Sequence, residues 1–397
     1  MTSLTSTSSG NLGLPANSYI YSITPLTAQV GFKSYAPVLG PGRMAALCSD
    51  DSVRFFDPER CSAGQSSSGS TALHNVNSSV TALCRWAADG EECKNIFTTG
   101  RDGLVRLWDL RSGKKSMELS SPKSVPMSAL GASYAGNCIA AGMELEKNGP
   151  AETLLFLWDP RKPGSPSVTF EESHTDTITE IQFHPEKRHL MLTGSTDSLI
   201  NIFDIRQTEE DDALIQVINH RSAIHHCGFL SDDNIYGLGT DETLSFYTLS
   251  DPDSDQPDPN PAQLGDVRES LECDYVVDVV RAGGDWMLVA GSFTEKRVDL
   301  VPLRAPNSKG SLSWTPDTGS RVRISGAHGE ELVRDVYAEV ADANNPIVIT
   351  CGEDGFVRSW KSGLERQGRD SVGKSSVQKS KSGKSSGKGE KARFKPY

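Results

Sequence analysis

A unit of about 45–50 residues recurs along this chain, a period typical of repeat architectures. In its clearest copies an Asp stands six residues before a large aromatic residue, as for Asp102 and Trp108 or Asp354 and Trp360. Each copy also holds three short runs of alternating apolar and polar residues separated by Asp, Gly and Ser, the pattern of antiparallel strands joined by turns. The repeat predicts an all-β propeller.

Aligned on this spacing, the chain yields seven copies, which predicts seven blades. The third copy has Glu152 in place of the Asp, and the sixth lacks the repeated polar residues. We expect residues 18–24 to form the outer strand of the last blade, which would close the ring, and 27–35 to form the first inner strand. This places the propeller at 18–362.

The two ends of the chain have a different composition. Residues 1–17 are predicted to be a disordered N-terminus. Residues 363–397 are rich in Lys, Ser and Gly and have almost nothing apolar to bury until Phe394. Such a segment cannot offset the entropy lost on ordering, so we expect a disordered basic tail.

Charge is divided unevenly between the body and the tail. Residues 361–397 hold 11 Lys or Arg against 3 acidic residues, whereas residues 1–360 hold 29 against 49, a net charge of −20. Nucleic-acid binding needs clustered Lys and Arg, so direct binding is expected only through the tail. An acidic body favours a basic partner.

The sequence predicts an intracellular protein. Its longest apolar runs are too short to span a bilayer, so we expect no membrane association, and its N-terminus does not resemble a signal peptide. The eight cysteines form no C-x-x-C pair, which favours buried reduced thiols.

The copies together resemble the WD-repeat family over residues 18–361. The resemblance is marked in 172–214, where HTDTITEIQFHP, a GSTDS turn and a Phe in place of Trp follow in order, and in LLFLWDPR (154–161) and CGEDGFVRSWK (351–361). It implies a seven-bladed WD40 β-propeller from a eukaryotic cell, without enzymatic activity.

The resemblance also implies hydrogen-bonded networks of a His, a hydroxyl, an Asp and a Trp in several blades. A His–hydroxyl–Asp set is also found in hydrolases. Here the set recurs from copy to copy, whereas an enzyme needs one site, so we interpret it as structural and predict no catalytic residue. The residues are His74, Thr99, Asp102 and Trp108; His174, Ser195 (or Thr193) and Asp197; His220 and Asp241; and His328, Thr350, Asp354 and Trp360.

Partner contacts in WD propellers tend to come from the rim of the narrower face. By position in each copy, this rim corresponds to the residue before each network Asp and to the residues at the start of each inner strand. The predicted partner-binding residues are Thr81, Arg101, Thr177, Thr179, Thr196, His225, Thr240, Arg334 and Glu353.

One further cluster, His225-His226-Cys227, has the residue types of a metal site. The three residues are consecutive in a predicted strand, where adjacent side chains point to opposite faces. We therefore predict no metal and, since no phosphate-binding glycine motif opens a helix, no cofactor.

These observations predict a monomeric protein-interaction scaffold that binds partner proteins on the propeller rim. The alternative is a dedicated chaperone or assembly factor for a basic client such as a ribosomal protein, suggested by the acidic body and the acidic segment 251–261. The tail has three interpretations: a signal for the nucleus or nucleolus, a contact with RNA or an acidic partner, or a solubilising segment. Both the nucleus and the cytoplasm are therefore possible locations.

Overall fold

The structure, a computed structural model, describes residues 2–27, 42–63, 71–88, 90–146, 153–251, 258–282, 284–305, 312–339 and 347–362. The predicted inner strand at 27–35, Glu152, most of the acidic segment 251–261 and the basic tail lie largely or wholly outside these residues. No helix in the described part of the chain is long and apolar enough to cross a membrane.

Strands account for more than half of the described residues. In chain order the strands are β1 (Thr2–Gly10), β2 (Ile20–Pro25), β3 (Met44–Cys48), β4 (Ser52–Asp57), β5 (Ser62–Ala63), β6 (Ala72–Leu73), β7 (Val80–Trp86), β8 (Asn95–Gly100), β9 (Leu104–Asp109), β10 (Lys114–Ser120), β11 (Met127–Ser133), β12 (Cys138–Met143), β13 (Leu155–Trp158), β14 (Val168–Phe170), β15 (Ile178–Phe183), β16 (Leu190–Ser195), β17 (Leu199–Asp204), β18 (Leu214–Asn219), β19 (Ile224–Phe229), β20 (Asn234–Gly239), β21 (Thr243–Thr248), β22 (Ala262–Asp266), β23 (Tyr275–Ala282), β24 (Asp285–Ser292), β25 (Arg297–Arg304), β26 (Thr315–Pro316), β27 (Val322–Ser325), β28 (Val333–Glu339), β29 (Ile347–Gly352) and β30 (Val357–Ser362). The helical turns are α1 (Glu210–Ala213), α2 (Arg268–Leu271) and a 3₁₀ turn at Thr318–Ser320.

The strands assemble into seven antiparallel blades. Blades 1 to 5 are successive sheets, made of β2–β6, β7–β10, β11–β14, β15–β18 and β19–β22. Blade 6 contains β23–β27, and blade 7 contains β28–β30 together with β1. The second strands of blades 3, 4, 5 and 7 are buried along their whole length, because neighbouring blades cover both of their faces. The predicted seven-bladed propeller is confirmed.

The ring is closed by a different strand from the one expected. Strand β1 pairs antiparallel with β30 and parallel with β27, so it joins blades 6 and 7 in one continuous sheet. Strand β2 pairs with β3 and forms the inner strand of blade 1. The predictions of a disordered 1–17 and of an outer strand at 18–24 are therefore wrong. The Ser/Thr-rich N-terminus is ordered by pairing on both edges and by burial of Leu4.

Among the described residues the core consists of seven apolar clusters, one at each interface between adjacent blades. For example, Phe97 of blade 2 packs with Phe156 and Trp158 of blade 3. Ile20 of blade 1 packs with Ile349 of blade 7, so apolar contact also runs across the point of closure. Because each blade buries one face against each neighbour, the central channel and its mouth are held by a closed ring of contacts.

Candidate functional site

Every inner strand carries a β-bulge at the same place. In β15, for example, the register shifts between Ile178 and Glu180. The shift follows the first residue in five of the other inner strands, and in β23 it follows the second, between Val276 and Asp278. A bulge sets two residues against one on the neighbouring strand and changes where side chains point. It defines two rings: a mouth ring of Tyr21, Thr81, Ser128, Thr179, His225, Val277 and Arg334, and a channel ring of Ser22, Ala82, Ala129, Glu180, His226, Asp278 and Asp335.

A cavity of about 210 Å³ opens between these rings. Six mouth-ring residues line it, all except Val277, and it extends down to Ser22 and His226 of the channel ring. The loops add Arg101, Glu144 and Thr177 to its wall. The wall is therefore built by six of the seven blades, all except blade 6, as expected for a binding site at the axis of a propeller.

Three mouth-ring hydroxyls connect consecutive blades. Thr81 Oγ1 donates to the carbonyl of Met127 at 2.7 Å, and Thr179 Oγ1 donates to that of Ile224 at 3.0 Å. Between them, Ser128 Oγ donates to the carbonyl of Ile178 at 2.6 Å. Blades 2 to 5 are thus joined at the cavity wall, so Thr81 and Thr179 have a structural role in addition to lining the cavity.

Two ion pairs flank the mouth. Arg101 makes a bidentate contact with Glu144, at 2.6 and 2.7 Å. Arg334 pairs with Glu353, which places this predicted rim residue beside the cavity although it does not line it. In each pair the carboxylate offsets the guanidinium, so neither side of the mouth carries a strong net charge.

His225 and His226 both line the cavity, with ring centroids 4.3 Å apart. The expectation that they alternate between two faces is therefore wrong, and the reason is the bulge between Ile224 and His226. Burial lowers the pKa of His225, and the nearby His226 and Arg334 lower it further. Burial opposes the charge of His226 too, but Asp278, Glu180 and Asp335 raise its pKa to about 9.

Blade 7 contains a complete polar network. His328 Nδ1 lies 2.7 Å from Asp354, and its Nε2 lies 2.7 Å from Thr350 Oγ1. The indole N–H of Trp360 donates to the same Thr350 oxygen at 2.9 Å. Burial lowers the pKa of His328, which favours a neutral ring that donates to Asp354 and accepts from Thr350. All four predicted members of this network are brought together.

Blade 4 has the same arrangement without the indole. His174 Nδ1 lies 3.0 Å from Asp197, and its Nε2 lies 2.7 Å from Thr193 Oγ1. Phe203 stacks on Phe170 instead of donating a hydrogen bond. Ser195, predicted as an alternative hydroxyl, donates to the carbonyl of Asp176, so Thr193 is the network residue.

In blade 2 an asparagine stands where a histidine was expected. His74 is exposed, whereas Asn77 donates to Asp102 at 2.9 Å and accepts from Thr98 at 2.7 Å. Trp108 then donates to Thr98. Thr99 instead donates to the carbonyl of Leu104. The prediction for His74 is wrong because Asn77, three residues later, makes the contacts with Asp102 and Thr98. The prediction for Thr99 is wrong because strand register places Ile96 opposite Trp108, so Thr98, two residues on, shares the face of the indole.

Blade 5 replaces the network with a shorter one. The hydroxyl of Tyr247 lies 2.8 Å from His220 Nδ1. Gly237 occupies the position of the usual hydroxyl residue, and a Cβ there would crowd Ile200 and His220. Asp241 accepts from Ser222 and Thr243, and only Thr243 links it to His220.

Blade 3 retains the Trp without its acceptor. Trp158 pairs with Ile139, so Ala141 fills the place of the hydroxyl residue. The indole N–H of Trp158 is buried without a hydrogen-bond partner in the described structure. The same substitution pattern occurs in blade 1, where Phe56 pairs with Met44 and Ala46 fills that place. Neither blade therefore has the hydrogen bond from an indole to a hydroxyl; in blade 1 the buried Arg54 instead donates to Asp50 and to the carbonyl of Leu12.

The structure places six of the nine predicted rim residues on the cavity: Thr81, Arg101, Thr177, Thr179, His225 and Arg334. Thr240 is exposed, and the amide of Thr196 donates to the carbonyl of Thr177; neither lines the cavity. Sequence reasoning missed the other six lining residues: Tyr21, Ser22, Val80, Ser128, Glu144 and His226. Alignment of the third copy could have identified Ser128, because it occupies the same position as Thr179.

Among the described residues, no group of three or more His, Cys, Asp or Glu is arranged to hold a metal ion. The recurrence of His–Asp contacts in blades 4 and 7 also fits a structural role, since both lie inside blades and not on the cavity.

Comparison with known proteins agrees with this architecture. The family model for the WD domain, G-beta repeat, matches residues 69–109 and 164–204. An uncharacterized WD repeat-containing protein of Saccharomyces cerevisiae is 32% identical over 292 residues, which cover 73% of this chain and 70% of the relative. The chain belongs to the WD-repeat family.

Two other WD-repeat relatives share shorter regions. The WD repeat-containing protein 89 homolog of Dictyostelium discoideum is 25% identical over 162 residues, 40% of this chain and 42% of the relative. Within the family, the motifs of residues 172–214 favour WD repeat-containing protein 89, and this relative is a homolog of that protein, although at lower identity than the Saccharomyces cerevisiae relative. The Ribosome biogenesis protein WDR12 homolog of Oryza sativa is 27% identical over 165 residues, 41% of this chain and 35% of the relative. WD-repeat propellers in general are non-catalytic and mediate protein–protein interactions.

Proposed function

We propose that this WD-repeat protein is a non-catalytic scaffold that binds a partner protein at the mouth of its central channel. The observation that carries the proposal is the cavity between the mouth and channel rings, lined by residues from blades 1, 2, 3, 4, 5 and 7. Its wall is fixed by hydrogen bonds between blades, so little order is lost on binding. The His–Asp contacts serve the blades, which leaves them no catalytic role.

The test fills the cavity. Replacing His225 by Trp adds a large ring at the mouth, whereas Val217→Trp adds the same ring on the outer strand β18, where Val217 is 53% exposed. Proteins that purify with the wild-type chain should be lost with His225→Trp and kept with Val217→Trp, with both variants melting near the wild-type temperature. Retention of the same partners by His225→Trp would refute binding at the mouth.

A second candidate is a chaperone or assembly factor for a basic client. It is favoured by the net charge of −20 in residues 1–360 and by three carboxyl groups in the channel ring. The printed name of the Oryza sativa relative, a ribosome biogenesis protein homolog, is compatible with it. Salt distinguishes the two functions: a single very basic partner released by added salt supports the chaperone, and a salt-resistant complex of several proteins supports the scaffold.

For the basic tail we propose a role as a signal for the nucleus or nucleolus. The support is the net charge of +8 in residues 361–397. Deleting residues 363–397 should move a fluorescently labelled chain toward the cytoplasm, and restoring the tail with every Lys and Arg replaced by Gln should not reverse the change. An unchanged distribution after deletion would contradict the proposal.

A further inference from the structure

The channel ring is chemically uneven. Blades 4 to 7 each contribute an ionisable side chain, namely Glu180, His226, Asp278 and Asp335. Blades 1 to 3 contribute only small side chains, Ser22, Ala82 and Ala129. One side of the channel below the cavity is therefore lined by three carboxyl groups and one imidazole.

Each of the three carboxyl groups is held in place by a contact within the propeller. Glu180 contacts His226 Nδ1 at 3.0 Å. Asp278 accepts from the hydroxyl of Tyr236 at 3.0 Å, and Asp335 accepts from the amide of Ile23 at 2.8 Å. A carboxylate has about four acceptor positions, so these contacts leave capacity for a further donor. His226 offsets one of the three carboxyl groups, which leaves an excess of negative charge.

An exposed aromatic platform lies next to the same mouth. Phe293 is 48% exposed and stacks on Tyr275, with ring centroids 6.3 Å apart and planes within 9°. The Tyr275 hydroxyl accepts from the amide of Val333, the residue before Arg334, which lines the cavity. A Cβ at Gly291 would overlap the Tyr275 ring, so the glycine makes room for it. The platform is thus formed before any partner arrives.

We propose that the partner is a basic protein that inserts a Lys or Arg side chain through the cavity to the carboxyl groups of the channel ring, and lays a neighbouring apolar side chain on Phe293. The proposal rests on the proposed function and specifies the chemistry of its partner. The cation would compensate buried negative charge, which is costly to leave unpaired. The acidic body would attract such a segment as it approaches. Arg101 and Arg334 do not oppose entry strongly, because each is paired with a carboxylate.

The probe is a synthetic library of seven-residue peptides with Lys, Arg, Glu or norleucine fixed at the centre and mixed residues elsewhere. The full chain is incubated with each pool, and bound peptides are identified by mass spectrometry. Peptides that bind the wild-type chain but not His225→Trp are those that bind at the mouth. Among these we expect enrichment of Lys or Arg at the centre and of aromatic or aliphatic residues beside it.

Isosteric variants then test the contacts. The double variant Glu180→Gln, Asp278→Asn keeps the acceptors for His226 and Tyr236 but removes the two negative charges. It should lower the affinity for peptides with a central Lys or Arg about tenfold, and it should have little effect on the affinity for peptides with a central norleucine. Phe293→Ala should remove the preference for an apolar neighbour, while Val217→Ala, another exposed site, should not.

The possible outcomes distinguish failure of the cationic partner from failure of the proposed binding site. If peptides bind at the mouth but show no preference for Lys or Arg at the centre, the proposal of a cationic partner is overturned, whereas the proposed binding site stands. A preference for Glu would also overturn it. If no bound peptide depends on the mouth, both proposals fail.

Discussion

The same substitution, Trp to Phe, should have different effects in two blades. In blade 7 the Trp360 indole donates to Thr350 Oγ1 at 2.9 Å. In blade 3 the Trp158 indole N–H has no hydrogen-bond partner in the described structure. Both side chains are at most 4% exposed, so the loss of ring volume is comparable.

The magnitudes follow from these environments. The smaller ring costs each variant about 1–2 kcal/mol through lost contacts. Trp360→Phe also loses a buried hydrogen bond, about 1 kcal/mol, for a total of about 2–3 kcal/mol. Trp158→Phe removes a buried donor whose unpaired state costs about 1–3 kcal/mol, so its net effect should be near zero. We expect Trp360→Phe to be the less stable variant by about 2 kcal/mol.

The assay is urea unfolding of both variants beside the wild type, with matched thermal melts. A double-mutant cycle of Trp360→Phe with Thr350→Val should give a coupling of about 1 kcal/mol, since the two residues share one hydrogen bond. Equal destabilisation by Trp360→Phe and Trp158→Phe would refute the reasoning, because it would show that packing alone determines the stability of both blades.

Three more predictions concern the network of blade 2, a channel histidine and the first strand. Asn77→Ala should lower the free energy of unfolding by about 1–3 kcal/mol, because Asp102 and Thr98 lose their partner in blade 2. In the same denaturation assay, His74→Ala should change the free energy of unfolding by no more than about 0.5 kcal/mol. A larger effect of His74→Ala than of Asn77→Ala would contradict the assignment of Asn77 to the network. Because the folded-state pKa of His226 is raised to about 9 from its ordinary 6.5, its charge stabilises the fold fully below about pH 6.5, and this contribution is lost as the pH rises through 9. The melting temperature of His226→Gln should therefore fall furthest below that of the wild type near pH 6 and approach it near pH 10; a constant gap would argue against a charged His226. Deleting residues 2–10 exposes the edges of β27 and β30 and removes the buried Leu4, so the melting temperature should drop by about 5–10 °C, while Ser3→Ala, at an exposed site, should leave it unchanged.

The spacing between Asp and the aromatic residue predicted the propeller well, because it marks a turn and a buried strand position that recur in most blades. The hydroxyl residue of each network was harder to identify. Thr98 and Thr99 are adjacent and chemically identical, and only the pairing of Ile96 with Trp108 decides which one faces the indole. The same lack of register information led to the choice of Ser195 over Thr193.

The candidate site was predicted in part. Thr81, Thr179, His225 and Arg334 follow from one position counted along each inner strand. Tyr21 and Ser22 could not follow, because β2 had been assigned as an outer strand. His226 was missed because simple alternation places it away from His225, and the bulge that brings both to the cavity arises from strand pairing and has no local sequence signal.

Closure of the ring by β1 has a consequence for synthesis of the chain. Thr7 donates to the carbonyl of Ser359, 352 positions later. At a translation rate of roughly 5–20 residues per second, the first strand waits roughly 20–70 s for its partner. An apolar strand exposed for that time would be prone to aggregate. The segment TSLTSTSSG has one leucine among small and hydroxyl residues, so the composition that made it look disordered is one that keeps it soluble until the last blade emerges.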